Sequence, residues 1–563
     1  MTSSGEQSSP RRKPKALAER AGVVSIGVMA SRVLGLVRDQ VFAALFGAGF
    51  HNDAFVTAFR IPNLLRDLFA EGALSAAFVP TFAQVLATKG REEAARLSNR
   101  VATAMILVVG SICVAGWLAA PAVVRLLAPG FFEVPGKAEL TIALTRIMMP
   151  FLLLVALAAQ AMGILNAQHR FGIPALAPSF FNVGSIAGGV LLGFVLGPWA
   201  GVSPIEGMAY GTLIGGFLQF AVQWPSLRRT GFGYRPMISF RDPGVRQILR
   251  LMGPAIIGTA AVQVNVFINS NFASAIPDPA TGTVANGPMS WLFYAFRFMQ
   301  LPIGVFGVAI ATVSLPALSG SVARKNMAEF RQTLAHALSL VFLLCIPSAA
   351  GLSVLGGPIV GLILEHGRFT AADTAQTANA LAAYSIGLAG YAAVKVLAPA
   401  FYALDDARTP MAISLGSIVV NYLMNSLLVG PLGHVGLALS TSTVALVNWV
   451  LLTLLMRRRL GGLEGRKLAS GFLRVCLVSG AMAAAVWLVS AELGSRVAVE
   501  GTARYLVQVA GGMAAAALVF YFGCRILAIA ELDDAIAAVL RPVTRRTEVA
   551  AKARVSREGD GAL

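Results

Sequence analysis

The sequence predicts an all-α polytopic membrane protein of about 14 transmembrane helices, and three observations carry that expectation. Of 563 residues, 56% are apolar and only 13% are charged, where soluble chains run near ~45–50% and ~25%. Mean hydropathy is +0.72. Apolar runs of about 20 residues, enough for a helix to span a bilayer, recur along the chain. Together these exclude a soluble multidomain enzyme, a disordered chain and a coiled coil. They also exclude an outer-membrane barrel, whose alternating strands seldom average so apolar.

The elements follow in order. Arg11, Arg12, Lys13 and Lys15 precede an apolar run from Ala21 that leads into Arg32, Arg38 and Asp39. A signal peptide would instead end its apolar stretch at a small-residue cleavage site. Residues 1–20 therefore read as a cytoplasmic basic tail, and the run as a retained first helix. The spans fall near 21–47, 53–86, 101–127, 138–166, 174–197, 205–225, 248–276, 287–318, 333–356, 375–404, 410–430, 434–456, 470–490 and 505–531. Residues 532–563 form a second polar tail.

The 45 Lys and Arg against 27 Asp and Glu give a formal charge of +18. In a chain of this class such an excess marks cytoplasmic loops rather than nucleic-acid binding. The clusters Lys89/Arg91/Arg96/Arg100, Arg228/Arg229/Arg235/Arg241 and Arg457/Arg458/Arg459 all fall on connections from even to odd spans. The opposite connections hold few, among them Lys137, Arg368 and Arg496. An even span count with both termini cytoplasmic sorts the charges this way, and an odd count would mix them. Cys113, Cys345, Cys476 and Cys524 lie far apart in apolar runs without metal-ligand spacing, and read as small buried side chains.

The chain repeats itself at a spacing close to 237. Ala58-Phe59-Arg60 recurs as Ala295-Phe296-Arg297, and Pro121/Pro358, Gly130/Gly367 and Phe132/Phe369 keep that interval. Six spans fit in one period, an even number, so the halves share an orientation. Parallel repeats of this kind are a transporter architecture. The organisation expected is an N-terminal six-helix lobe at 21–225, a basic cytoplasmic linker at 226–247, a C-terminal six-helix lobe at 248–456 and two extra helices within 457–531.

Eight basic residues fall inside spans: Arg32, Arg38, Arg60, Arg66, Arg146, Arg297, Lys395 and Arg525. A mid-membrane arginine costs several kcal/mol unless it faces a wet cavity or a partner. Arg32 and Arg297 sit roughly 15 Å into their helices, and Arg66 about 20 Å. Asp39, Asp53, Asp67 and Glu71 lie near in sequence, and Arg60 with Asp67 reads as a buried ion bridge. Arg32 and Arg38, six apart, point about 120° from each other on a straight helix, and Gly35 between them permits a bend. A cavity lined by guanidinium groups suits an anion, phosphate above all, through paired hydrogen bonds. The chain has no GxxxxGK[ST] loop, so an ion gradient, the membrane potential or substrate turnover must drive any transport.

The stretch Ser31-Arg32-Val33-Leu34-Gly35-Leu36-Val37-Arg38-Asp39, with Asp53-Ala54-Phe55, Ile61-Pro62-Asn63-Leu64-Leu65-Arg66 and Phe69-Ala70-Glu71-Gly72-Ala73, carries a resemblance. With Ala128-Pro129-Gly130-Phe131, Gly253-Pro254-Ala255 and Lys395-Val396-Leu397-Ala398-Pro399, it resembles the MurJ (MviN) family of lipid II flippases. That family belongs to the multidrug/oligosaccharidyl-lipid/polysaccharide exporter superfamily, and the resemblance covers all but the tails. It implies two lobes in a V, with the last two helices forming a groove for the undecaprenyl tail. It implies a site in the bacterial inner membrane, no enzyme activity, and alternating access that carries lipid II to the periplasmic leaflet. Arg32, Arg38, Arg66 and Arg297 match the cavity arginines that would clamp the pyrophosphate. Asp39, Asp53 and Glu71 match gating or positioning acids. Acids flank the equivalent of Arg297 in some relatives, where this chain has Phe296 and Gln300. Some relatives bind sodium, for which Asn421, Asn425 and Thr441 are the candidates here, with the membrane potential as the other driving force. Partners expected are lipid II, membrane lipids and cell-wall synthesis proteins.

Three other readings compete. A flippase for another polyprenyl-pyrophosphate oligosaccharide would use the same arginines. A multidrug/cation antiporter would need cavity acids, the opposite of the bias here. A non-transporting scaffold would leave the deep cations unexplained. His51, His169, His336, His366 and His434 lie in or near loops and helix ends without partner spacing for catalysis.

Overall fold

The computed structural model describes residues 14–68, 74–239, 241–278, 281–496 and 501–537. Their regular structure is helical, apart from one isolated antiparallel bridge between Pro277 and Val284. Each of the fourteen expected spans has a helix. In chain order these are α1 (Pro14–Phe46), α2 (Phe50–Arg66 and Ser75–Thr88), α3 (Gly90–Leu118), α4 (Lys137–Ala167), α5 (Gly172–Val195), α6 (Pro204–Ala221) and α7 (Pro243–Ser274). Then come α8 (Pro288–Ala323), α9 (Met327–Leu364), α10 (Ala371–Ile386 and Leu388–Ala403), α11 and α12 within Arg408–Leu460, α13 (Gly465–Arg496) and α14 (Thr502–Ile526). Eight of the described helices are long and apolar enough to cross a membrane, and the two parts of α10, bent by 44°, make a ninth.

The breaks have local causes. Helix α11 passes into α12 at Gly433, whose φ of 55° and ψ of −132° suit a residue without Cβ. Helix α10 breaks at Gly387, where the Ser442 hydroxyl donates to the Ala383 and Tyr384 carbonyls at 2.7 and 3.1 Å. The Tyr384 carbonyl also accepts from the Gly387 N–H at 3.1 Å, which closes the last turn before the break.

The chain forms two compact units. The first takes in the chain up to Ser290 with His366–Phe369. Its tightest packing is α5 on α6, where both helices present glycines. A Cβ at Gly211 would come within 2.4 Å of the Gly189 nitrogen, and one at Gly215 within 2.4 Å of the Phe181 carbonyl oxygen. Membrane helices approach through such small residues because lipid removes most of the hydrophobic drive for their association. A core of Phe78, Phe82, Leu97, Leu152 and Phe232 joins α2, α3 and α4 to the chain after α6. That chain is laced to α3: Arg235 N–H donates to Asn99 Oδ1 and Met237 N–H to Thr103 Oγ1, at 3.2 and 3.0 Å. Asp242 then caps α7 at Gly244 and Val245 while accepting from Arg100 at 2.5 Å.

The second unit holds Trp291–Glu365 and the chain from Thr370 onward. Helix α9 is its centre, burying Phe330, Leu334, Leu338 and Phe342. Helices α13 and α14 pack on it through Val475, Val478 and Cys524 near Leu343, and through Met482 and Val486 near Leu355. Glu365, at the end of α9, accepts from Tyr505 Oη of α14 at 2.9 Å and from Thr374 Oγ1 of α10 at 2.6 Å. Outward faces stay apolar: Trp487 and Leu488 are 61% and 60% exposed. Bands of this kind belong against hydrocarbon, since soluble monomers rarely expose contiguous apolar patches so large.

Candidate functional site

The intramembrane arginines divide between the units. In the first, α1 carries Arg32 exposed and Arg38 buried, as their six-residue spacing requires. Asn182 of α5 donates to the Ser31 carbonyl at 3.2 Å and fixes α1 beside Arg32. Arg38 directs Nε and Nη2 to Asp39 Oδ1 at 3.2 and 2.8 Å, with its guanidinium carbon 5.6 Å from the Phe181 ring centroid. Both partners are nearly dry, with side chains 9% and 7% exposed, so most of Arg38's charge is met locally. Arg66, at the end of the first part of α2, pairs with Asp67 at 2.8 Å, but the side chains are 27% and 40% exposed. Surface-like pairs of this kind hold weakly.

Arg60 corrects one expectation. It does not bridge to Asp67, which Arg66 occupies, but donates to Ser270 Oγ of α7 at 2.6 Å. Seven residues span nearly two helical turns, too far when an adjacent guanidinium competes. Glu71 lies outside the described residues.

Asp53 is fully engaged. It sits 1% exposed in the first turn of α2. Its Oδ1 accepts from Ser290 N–H at 3.0 Å and Ser290 Oγ at 2.7 Å. Its Oδ2 accepts from Gly287 N–H at 2.7 Å and from Lys137 Nζ at 3.0 Å. Lys137 is the first residue of α4, so three helix N-termini meet on one carboxylate. The partial positive charge at each favours an anion there. In the sequence alone Lys137 stands among ordinary loop charges. Its signal was local: a lysine directly after Gly136, at the first helical position, is where the dipole disfavours a cation.

In the second unit Arg297 is half-buried on α8, its guanidinium carbon 5.8 Å from the Phe293 ring centroid. Phe296, where some relatives have an acid, packs edge-on against Tyr384 of α10 at 5.4 Å. Asn421 and Asn425 are 1% and 0% exposed on α11, four apart and so on one face. Thr441 of α12 donates its hydroxyl to the Leu437 carbonyl at 2.9 Å. These are neutral oxygen donors, the right element for a hard cation but without carboxylate charge. Among the described residues no three His, Cys, Asp or Glu side chains gather as a metal site.

Stacked apolar helices with arginines inside the spans define a multi-pass membrane transporter. The chain belongs to the lipid II flippase MurJ family, whose model matches residues 42–506. A lipid II flippase MurJ of Burkholderia cenocepacia is 37% identical over 440 residues, covering 77% of this chain and 83% of the relative. A probable lipid II flippase MurJ of Rhizobium meliloti is 32% identical over 554 residues, 97% of this chain and 99% of the relative. Among solved structures, a lipid II flippase MurJ in an inward closed conformation superposes with TM-score 0.72 at 28% identity, covering 90% of this chain and 99% of that one. An inward-facing multidrug resistance MATE family transporter of the MOP superfamily shares the fold at TM-score 0.58 and 16% identity, over 80% and 96% of the two chains.

Proposed function

We propose that this protein moves lipid II, the undecaprenyl-pyrophosphate-linked peptidoglycan precursor, from the cytoplasmic to the periplasmic leaflet of the bacterial inner membrane by alternating access. Membership of the flippase family supports the substrate. The observation that carries the mechanism is the presence of arginines inside the spans of both units. Arg32 is exposed, Arg66 pairs with a partly exposed Asp67 and Arg297 is half-buried. Guanidinium groups held in a low-dielectric span bind a pyrophosphate through paired, charge-assisted hydrogen bonds.

In this reading Arg32, Arg38, Arg66 and Arg297 clamp the pyrophosphate, and Asp39 and Asp53 hold the helices that carry them. The repeats at 21–225 and 248–456 act as two lobes, and the helices within 457–531 take the lipid tail. Both termini are cytoplasmic. The membrane potential drives the cycle, and Asn421, Asn425 and Thr441 would supply oxygens to a coupling sodium ion. Depleting the protein in cells and reading lipid II with a reagent confined to the outside tests this. Exposure falls while total lipid II rises if the reading holds. Unchanged exposure with no second flippase present would overturn the substrate, and other polyprenyl-linked glycans would then come first.

A further inference from the structure

We propose that Lys137 is a positioning residue for transport: its buried ammonium, shared by Asp53 and Asn286, holds the first turn of α8 in place. The proposal rests on the transport reading above, and its tests separate the two.

The ammonium is fully engaged. Lys137 is 0% exposed, donates to Asp53 Oδ2 at 3.0 Å and Asn286 Oδ1 at 2.8 Å, and lies 4.3 Å from the Phe131 ring centroid. The carboxylate is equally full: Gly287, Ser290 and Lys137 supply four donors, matching its about four acceptor positions. Neither charge has capacity left for water, and each makes the other's burial tolerable. The joint is therefore dry, neutral and saturated with residues 286–290 seated as they are. Taking away the ammonium leaves a buried carboxylate without a counter-charge. That carboxylate must bind a proton or admit water, and either loosens its hold on Gly287 and Ser290. Arg297 lies seven residues beyond Ser290 on the same helix, about two turns along, so a shift at the seat moves the helix that bears it.

The assay labels a cysteine at Met289, a side chain 1% exposed beside the joint but outside its hydrogen bonds. The protein carries Met289→Cys with its four native cysteines replaced by alanine. It is purified in detergent and exposed to a water-soluble maleimide. Lys137→Met raises the labelling rate roughly tenfold or more, the factor for losing one charged hydrogen bond. Adding Asp53→Asn removes the uncompensated charge while keeping a carbonyl acceptor, and brings the rate back toward the parent's. A merely space-filling lysine would not show that reversal. Where Lys137→Met does not elute as a single species, Lys137→Gln is used, with the same expected direction. In vesicles, Lys137→Met slows lipid II movement at least as strongly.

Parent-rate labelling in the single variant, or no reversal in the double, would overturn the proposal. So would faster labelling with lipid II movement at the parent rate, because the joint would then position nothing that transport uses. Should the parent itself not move lipid II, the functional reading fails, while labelling still decides what Lys137 holds.

Discussion

Asp53 and Ser290 stand 237 positions apart, the spacing at which the chain repeats itself, and they are bonded to each other. Equivalent positions of two repeats thus touch. Two aspartates there would repel, and two serines would not balance the ammonium of Lys137. The chain instead has an acceptor at one position and a donor at the other. With an acceptor opposite a donor, the contact is attractive.

Ser290→Ala should remove one donor and leave the backbone N–H, costing about 1–2 kcal/mol. Ser290→Asp sets a second carboxylate against Asp53 and should cost clearly more. Thermal unfolding in detergent checks the order. Equal Tm values for the two variants would mean that charge at this joint does not matter.

Arg32 and Arg38 should separate in stability while agreeing in function. Arg38→Ala removes the guanidinium paired with the buried Asp39 and should cost about 3 kcal/mol. Arg32 is exposed, so Arg32→Ala should stay within about 0.5 kcal/mol. Both should lose lipid II movement. Parallel measurements of Tm and of transport test this, and an active Arg32→Ala protein would remove Arg32 from the site.

The sequence was informative wherever a signal is local and periodic. Span lengths, the basic loops and the 237-residue repeat all express themselves in runs of neighbouring residues, and fourteen helices follow from them. Side-chain pairing was less legible because the partners are remote. Asp53 meets Lys137 across 84 positions, and Lys137 meets Asn286 across 149. A lysine at a helix N-terminus hints that Lys137 has a partner, but nothing within one helix says which. Arg60 shows the opposite error: a plausible near partner, Asp67, lost to a serine 210 positions away.

Gly130 and Gly367, themselves repeat equivalents, should tolerate no side chain. A Cβ at Gly130 would come within 2.2 Å of the Ser274 carbonyl oxygen, and one at Gly367, with φ of +60°, within 2.3 Å of the Ala44 carbonyl oxygen. Alanine at either should cost about 1–3 kcal/mol. Gly110 in α3 has nothing within 4 Å, so Gly110→Ala should be neutral or stabilising by about 0.5–1 kcal/mol. Chemical or thermal unfolding of the three variants decides it, and a stable Gly367→Ala protein would contradict the packing described.

Acid should weaken the joint between α10 and α11. Hydrogen bonds from the Thr409 backbone and hydroxyl, with Arg459 beside it, hold the Asp406 carboxyl below its ordinary value. A depressed carboxylate stabilises the fold above its unfolded pKa, and that contribution disappears as pH falls through the lower folded value. The Tm difference between the parent and Asp406→Asn should hold steady from about pH 8 to pH 5 and shrink below about pH 4. A difference that does not change with pH would show that the carboxylate's charge contributes nothing there.

The most direct test of the account is lipid II movement by the purified protein in vesicles, with the parent compared against Arg32→Ala and Arg297→Ala. The expected result is protein-dependent transfer of lipid II between leaflets, lost in both variants while each remains folded and inserted. Transfer at the parent rate in both would contradict the arginine clamp, and no transfer by the parent, in either direction of membrane potential, would contradict the function itself.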